Sequence, residues 1–245
     1  MDKQDNYIDN LIEVLHKVKD SQSTVIEEAT RKMFEAYQKG NSIYVFGAGH
    51  AGLIAEEMFA RAGGLMVINP IFNSGLLLHD RPFTVASELE RLEGYGTAII
   101  NGTWMKEGDV LLVYSVSGRN AAVIDVAIAA KARGAYVIVM TSKVYKDNIK
   151  SRHSGGKLLP EYGDLVIDNC GIYGDASVQV DENTFVGPTS TATGVAIANM
   201  IAVGFAQLCV ENGIEPPVFE SGNKDGNPER IKRIMMDNLK YVHYL

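Results

Sequence analysis

Only two cysteines, Cys170 and Cys209, occur among the 245 residues. Neither sits in a CxxC or in any spacing a metal would use, so no disulfide framework and no metal site is expected. A reduced, cytoplasmic setting follows as the simplest reading. Dense basic runs are also missing. The net charge is −7, and the one basic cluster, Arg230, Lys232 and Arg233, falls in an amphipathic pattern that reads as a solvated helix face. A nucleic-acid partner is therefore not expected. The opening "MDKQDNYIDN" is polar and acidic, unlike a signal peptide. The most apolar stretch, Val195 to Val210, is interrupted by Asn199 and Gln207 and falls short of the ~20 apolar residues of a membrane span. It reads as a buried helix, and no membrane partner is expected. Internal repeats, low-complexity segments and interdomain linkers are absent, so residues 1–245 are expected to form one domain.

What is present is an alternation of strand and helix patterns. From Tyr7 to Gln38 apolar residues recur at helical spacing (Ile8, Leu11, Ile12, Leu15, Val18, then Val25, Ile26, Ala29, Met33 and Phe34), with Ser21 to Ser23 a candidate break into two helices. This N-terminal helical segment, 1–40, precedes an α/β core over 41–215 and a C-terminal helix within 216–245. In the core, short apolar runs at 42–46, 65–69, 110–114, 136–140 and 165–167 alternate with helical patterns at 49–62, 82–92, 120–133 and 188–211. Continuous apolar strands in β-α-β order predict a doubly wound, mostly parallel five-stranded sheet with helices on both faces. The polar stretch "SKVYKDNIKSRHSGGKL" after the fourth run reads as a long loop, either bordering a site or idle. The terminal helices offer a subunit interface.

The first core run leads into "FGAGHAG", with Gly47, Gly49 and Gly52 in G-x-G-x-x-G register. A dinucleotide site needs an acid at the end of the next strand to hold the ribose. Here that strand ends in Asn69 and Pro70, so the carboxylate is missing. No P-loop sequence occurs. The glycines either wall a different phosphate site or only relieve crowding at the turn. The third run leads into "YSVSGRN", where Ser115 and Ser117 alternate, Gly118 permits a tight turn and a helix starts near Asn120. Serine hydroxyls beside unpaired helix N–H groups suit a phosphate monoester without a lysine. The plainer reading is that Ser115 and Asn120 cap the helix.

"GAGHAG" together with "SVSGRNAAVIDVAIAAKARGAYVIVMTS" resembles the sugar isomerase (SIS) domain family, over roughly residues 42–170. The family's second loop, S-x-S-G-x-T, its following A-K-x-x-G-A and the strand ending in Thr are matched by Ser115, Ser117, Gly118, Ala130, Lys131, Gly134, Ala135 and Thr141. The whole chain is similar to single-domain SIS proteins grouped with phosphoheptose isomerases. The resemblance implies a flavodoxin-like three-layer fold, a homo-oligomer (dimer or tetramer) and a phosphosugar bound at Gly47, Gly49, His50, Ser115, Ser117, Gly118, Arg119 and Asn120. No cofactor is expected. Two departures stand out: Ala51 replaces a serine frequent in the family, and Asn120 replaces the usual threonine, while Arg119 adds a cation.

Aldose–ketose isomerisation needs a general base and an acid. Glu56 and Glu57 follow the glycine turn, and Glu88, Glu90 and Glu93 lie in "SELERLEGYG", where Val85, Leu89 and Leu92 are expected on the buried face. The favoured catalytic set is Glu57, Glu88, Glu93 and His79, with Asp80 placed to orient the histidine; each also reads as an ordinary surface residue. "ERLEG" is similar to the E-x-x-E-G stretch of N-acetylmuramic acid 6-phosphate etherases. A sugar-phosphate lyase is therefore the second expectation, and a non-catalytic phosphosugar-binding regulator the third. In "GPTST", Thr189, Ser190 and Thr191 either cap a long helix or, with Glu182, complete a sugar pocket.

Overall fold

A computed structural model describes residues 2–79, 82–223 and 228–244. Its centre is a five-stranded parallel sheet formed by β1 (Ile43–Gly47), β2 (Ile68–Pro70), β3 (Val110–Tyr114), β4 (Tyr136–Thr141) and β5 (Leu165–Asp168), in the order β2-β1-β3-β4-β5. Side chains alternate between two buried faces. Ile43, Val45, Leu112, Tyr114, Ile138 and Met140 point to one core. Tyr44, Phe46, Leu111, Val113, Val137 and Val139 point to the other. Burial on both sides is why the strand sequences read as unbroken apolar runs.

The first core is closed by α1 (Asp2–Gln38), α2 (Leu53–Met58) and α6 (Ser190–Glu211), the second by α4 (Tyr95–Asn101) and α5 (Ala121–Ala132). Phe34 of α1 meets Phe205 of α6 edge to face, with ring centroids 5.7 Å apart. The expected break at Ser21–Ser23 does not occur. The Ser21 and Ser23 hydroxyls turn back onto the carbonyls of Lys17 and Lys19, which lets serine stay inside a helix. Gln22 between them accepts the Asp168 N–H at 3.0 Å, fastening α1 to the end of β5.

Several boundaries differ from the sequence pattern. Residues 65–67 do not join the second strand; Leu65 bridges Val218 antiparallel instead. The 82–92 pattern yields only α3 (Thr84–Leu89), and Gly94, at φ 84°, turns the chain into the unexpected α4. Val85 and Leu92 are half exposed rather than buried, because the inner face of α3 is carried by Ala86, with Leu89 partly packed. A small hairpin, β6 (Val178–Gln179) and β7 (Phe185–Val186), has no counterpart in the sequence pattern. The C-terminal helix α7 (Pro228–Asp237) stops before a short 3₁₀ turn at Leu239–Tyr241. Contrary to the expectation for Val195 to Val210, α6 is long and apolar enough to cross a membrane by length and composition. In this fold it instead buries Ile197, Ile201 and Phe205 against α1 and the sheet.

Candidate functional site

The neighbours β1 and β3 send their chains to opposite faces of the sheet, β1 into α2 and β3 into α5. Loops that diverge this way open a crevice beyond the carboxyl ends of the strands. On one side lies the glycine turn. A Cβ on Gly47 would stand 2.3 Å from the Ala51 carbonyl oxygen, and one on Gly52 would stand 2.7 Å from Leu77 Cδ2. Gly47, whose obstacles are backbone atoms, is thus fixed by crowding, whereas at Gly52 the nearest obstacle is the movable end of a leucine side chain. Gly49 adopts φ 57° and faces Glu90, whose Oε1 would lie 3.2 Å from an added Cβ. His50 is exposed.

On the other side lies the second loop. Ser115 Oγ accepts the Gly118 N–H at 3.2 Å, closing the turn. Gly118, at φ 62°, sits beneath Leu159 and Pro160. Ser117 opens on a hollow of about 370 Å³ bounded by Thr141, Ser142, Lys143, Lys146 and Glu161. Asn120 occupies the N-cap position of α5, yet its side chain makes no cap bond. Its amide nitrogen donates to Glu90 Oε2 at 2.5 Å, and its amide oxygen accepts from Arg152 Nη1 at 2.7 Å. The Ala122 N–H in the first turn of α5 is taken by the Glu90 carbonyl at 3.0 Å.

Glu90 therefore joins both loops, and sequence reasoning missed its importance. Burial pushes its carboxyl above the usual carboxylate range, outweighing the Asn120 hydrogen bond and the nearby Arg91 and Arg152 guanidiniums. The available signal was helical spacing: Glu90 follows the buried Ala86 by four residues and shares its face.

Among the described residues, none of the favoured catalytic side chains has a bond to either loop. Glu57 pairs with Arg61 and accepts from Asn199 of α6 at 3.0 Å. Glu88 is exposed beside Arg91. His79 is exposed, with Nε2 3.5 Å from Glu56, and Asp80 lies outside the described residues. Glu93 accepts from the Ser154 N–H and hydroxyl, and these bonds hold its carboxyl below the usual range.

Those Glu93 bonds help fasten the polar 142–158 stretch. Its Arg152 N–H donates to the Arg119 carbonyl at 2.8 Å, and the following Leu159 N–H donates to the Gly118 carbonyl at 2.8 Å. His153 Nδ1 accepts the Gly155 N–H, leaving Nε2 to donate to Asp125 Oδ1 at 3.2 Å. Asp125 also accepts the Gly94 N–H at 2.6 Å, so α5, the turn before α4 and this strap share one carboxylate. At the start of α6, Asp175 accepts from the Thr189 and Ser190 N–H groups and from the Ser190 hydroxyl. The capping role there belongs to a residue far upstream, and Glu182 is exposed in the β6–β7 turn. Among the described residues no group of three or more His, Cys, Asp or Glu side chains is arranged to hold a metal.

A family model described as "SIS domain" matches residues 6–142. A UPF0309 protein of Shouchella clausii is 44% identical over 242 residues, covering 98% of each chain. Among solved structures, a phosphoheptose isomerase from Francisella tularensis superposes with a TM-score of 0.58 at 16% identity, covering 84% of this chain and 97% of its own. An Escherichia coli protein in complex with arabinose 5-phosphate gives a TM-score of 0.50 at 16% identity, over 83% and 88% of the two chains. At these identities the structural matches show a shared fold.

Proposed function

Because the chain belongs to the SIS domain family, we propose that it binds a phosphorylated sugar between the glycine turn and the Ser115–Asn120 loop and isomerises it between aldose and ketose. The observation that carries this reading is Glu90, a carboxyl of raised pKa bonded to Asn120 and facing Gly49. The phosphate end belongs at the second loop, toward Ser115, Ser117 and the start of α5, and the reacting carbons lie over Glu90. In its ionised form Glu90 takes the proton from the carbon beside the carbonyl and returns it to the neighbouring carbon. The hydroxyl proton on that same carbon passes to the carbonyl oxygen, so no net proton is consumed. A carboxyl with a pKa raised toward the working pH is a stronger base than an exposed one. Fold similarity to a phosphoheptose isomerase and to a protein solved with arabinose 5-phosphate supports a sugar-phosphate ligand.

A thermal-shift panel tests the reading. Sugar phosphates at about 100-fold their Kd stabilise a protein by about 2.7 kcal/mol, and the matching unphosphorylated sugars should give no comparable shift. A panel without any phosphate-dependent shift removes the proposed ligand class. Glu90 also opens the etherase-like "ERLEG", so the same base serves a lyase as the second reading. In deuterated water an isomerase incorporates solvent deuterium and yields a ketose, whereas a lyase releases a fragment.

The outer face of α6 leaves Val203 and Val210 69% and 66% exposed, and it is the proposed contact between copies of the chain. Val203→Glu combined with Val210→Glu is expected to reduce the mass measured by light scattering to that of a monomer. An unchanged mass moves the interface off α6. The cytoplasm is the proposed location, which suits two free cysteines, one of them Cys209, whose thiol burial pushes up to about 11.

A further inference from the structure

Arg119 and Arg152 reach the same place from different segments. Arg119 follows Gly118 in the second loop, and Arg152 comes from the strap after β4, joined to it by the 2.8 Å backbone bond. Among the described residues no carboxylate forms an ion pair with either guanidinium. Within the same set, the only side-chain partner of Arg152 is the neutral Asn120 oxygen, and the buried Nε of Arg119 has none. Burial lowers the Arg152 pKa, and repulsion from Arg119 and Arg91 lowers it further. Glu90 is the carboxyl close enough to oppose this, and its own environment favours the neutral form. Meanwhile the helix end has fewer free donors than its sequence advertises, since Glu90 holds Ala122 N–H and Asn120 Nδ2.

Resting on the phosphosugar reading above, we infer that Arg119 and Arg152 form a two-guanidinium clamp that takes the dianionic phosphate of the ligand. Two cations balance the two charges of the phosphate, and planar guanidinium forks match its oxygens in a way an ammonium cannot. Arg152 is the specificity element, because its strap is already fastened through His153–Asp125 and Ser154–Glu93. The clamp thus stands formed before the ligand arrives.

Calorimetric titration of the full chain with inorganic phosphate and with an aldose 5-phosphate, on wild type, Arg152→Gln, Arg152→Lys and Arg119→Gln, decides the matter. Both glutamine variants are expected to bind each ligand at least about tenfold more weakly, the loss of one charge-assisted contact. Arg152→Lys should recover only part, and melting of the unliganded variants should be no lower than that of wild type. Arg119→Gln carries the test if Arg152→Gln fails to fold. Wild-type affinity for phosphate in both glutamine variants, or no phosphate binding by wild type, overturns the clamp. Should phosphate bind through both arginines while no sugar phosphate binds, the clamp stands and the proposed function falls. If the aldose phosphate binds wild type and variants equally, the function stands and the clamp falls.

Discussion

Glu90→Gln is expected to slow exchange of substrate hydrogen with deuterated water by about 10²–10⁴-fold, the usual worth of a positioned general base. The substitution keeps the side-chain shape and an oxygen for Asn120 Nδ2 to reach, so ligand affinity should survive. Stability should move the other way. The folded pKa of Glu90 lies above its unfolded value, so folding takes up a proton in the window between the two. Its contribution is therefore most favourable in acid and is lost as pH rises through that window. Removing the carboxyl should raise the melting temperature at neutral pH, and the gain should vanish below about pH 4, where a carboxyl is neutral in either state. Undiminished exchange would take Glu90 out of the chemistry, and superimposable stability curves would deny its raised pKa. Glu57→Gln and Glu88→Gln, whose carboxylates face Arg61 and Arg91, serve as controls that retain activity.

Gly96→Ala should be the most destabilising single methyl added to this chain. The new Cβ would lie 2.0 Å from the Ala122 carbonyl oxygen and 2.7 Å from both Asp125 Cβ and Val126 N. The obstacles are mostly backbone, so α4 and α5 must separate. Overpacking of this kind costs about 3 kcal/mol, roughly 6–12 °C in melting temperature for a chain of this size. The same displacement would pull Gly94 from Asp125 and disturb Glu90, so activity should fall with stability. Gly222→Ala, with nothing within 4 Å of the added carbon, is the neutral comparison. A Gly96→Ala protein that melts like wild type would mean that the two helices are not in the close contact described.

The sheet was legible because strands buried on both sides must be apolar throughout, and the crevice was legible because its glycine and serine loops are short and local. Asn69 is no ribose acid in the fold either; its amide is committed to the Ile43 and Tyr241 carbonyls. Glu90 was passed over because a one-residue error in the α3 face turns Ala86 and Glu90 outward and Val85 inward. The strap escaped notice for another reason. Ser154 meets Glu93 across 61 residues and His153 meets Asp125 across 28, and no local pattern records such partners. Asp175 as the cap of α6 was hidden in the same way.

The pairing of α1 with α6 also sets an order of events on the ribosome. Phe34 and Tyr37 emerge early, yet the ring they pack on, Phe205, is made near the end. At ~5–20 residues per second this leaves a wait on the order of ten to thirty seconds. Throughout it the stripe of the first helix that meets α6, and the part of the sheet face that α6 closes, have no cover. The two-sided burial that makes the finished sheet stable thus makes the growing chain a natural client for chaperones until its last long helix is delivered.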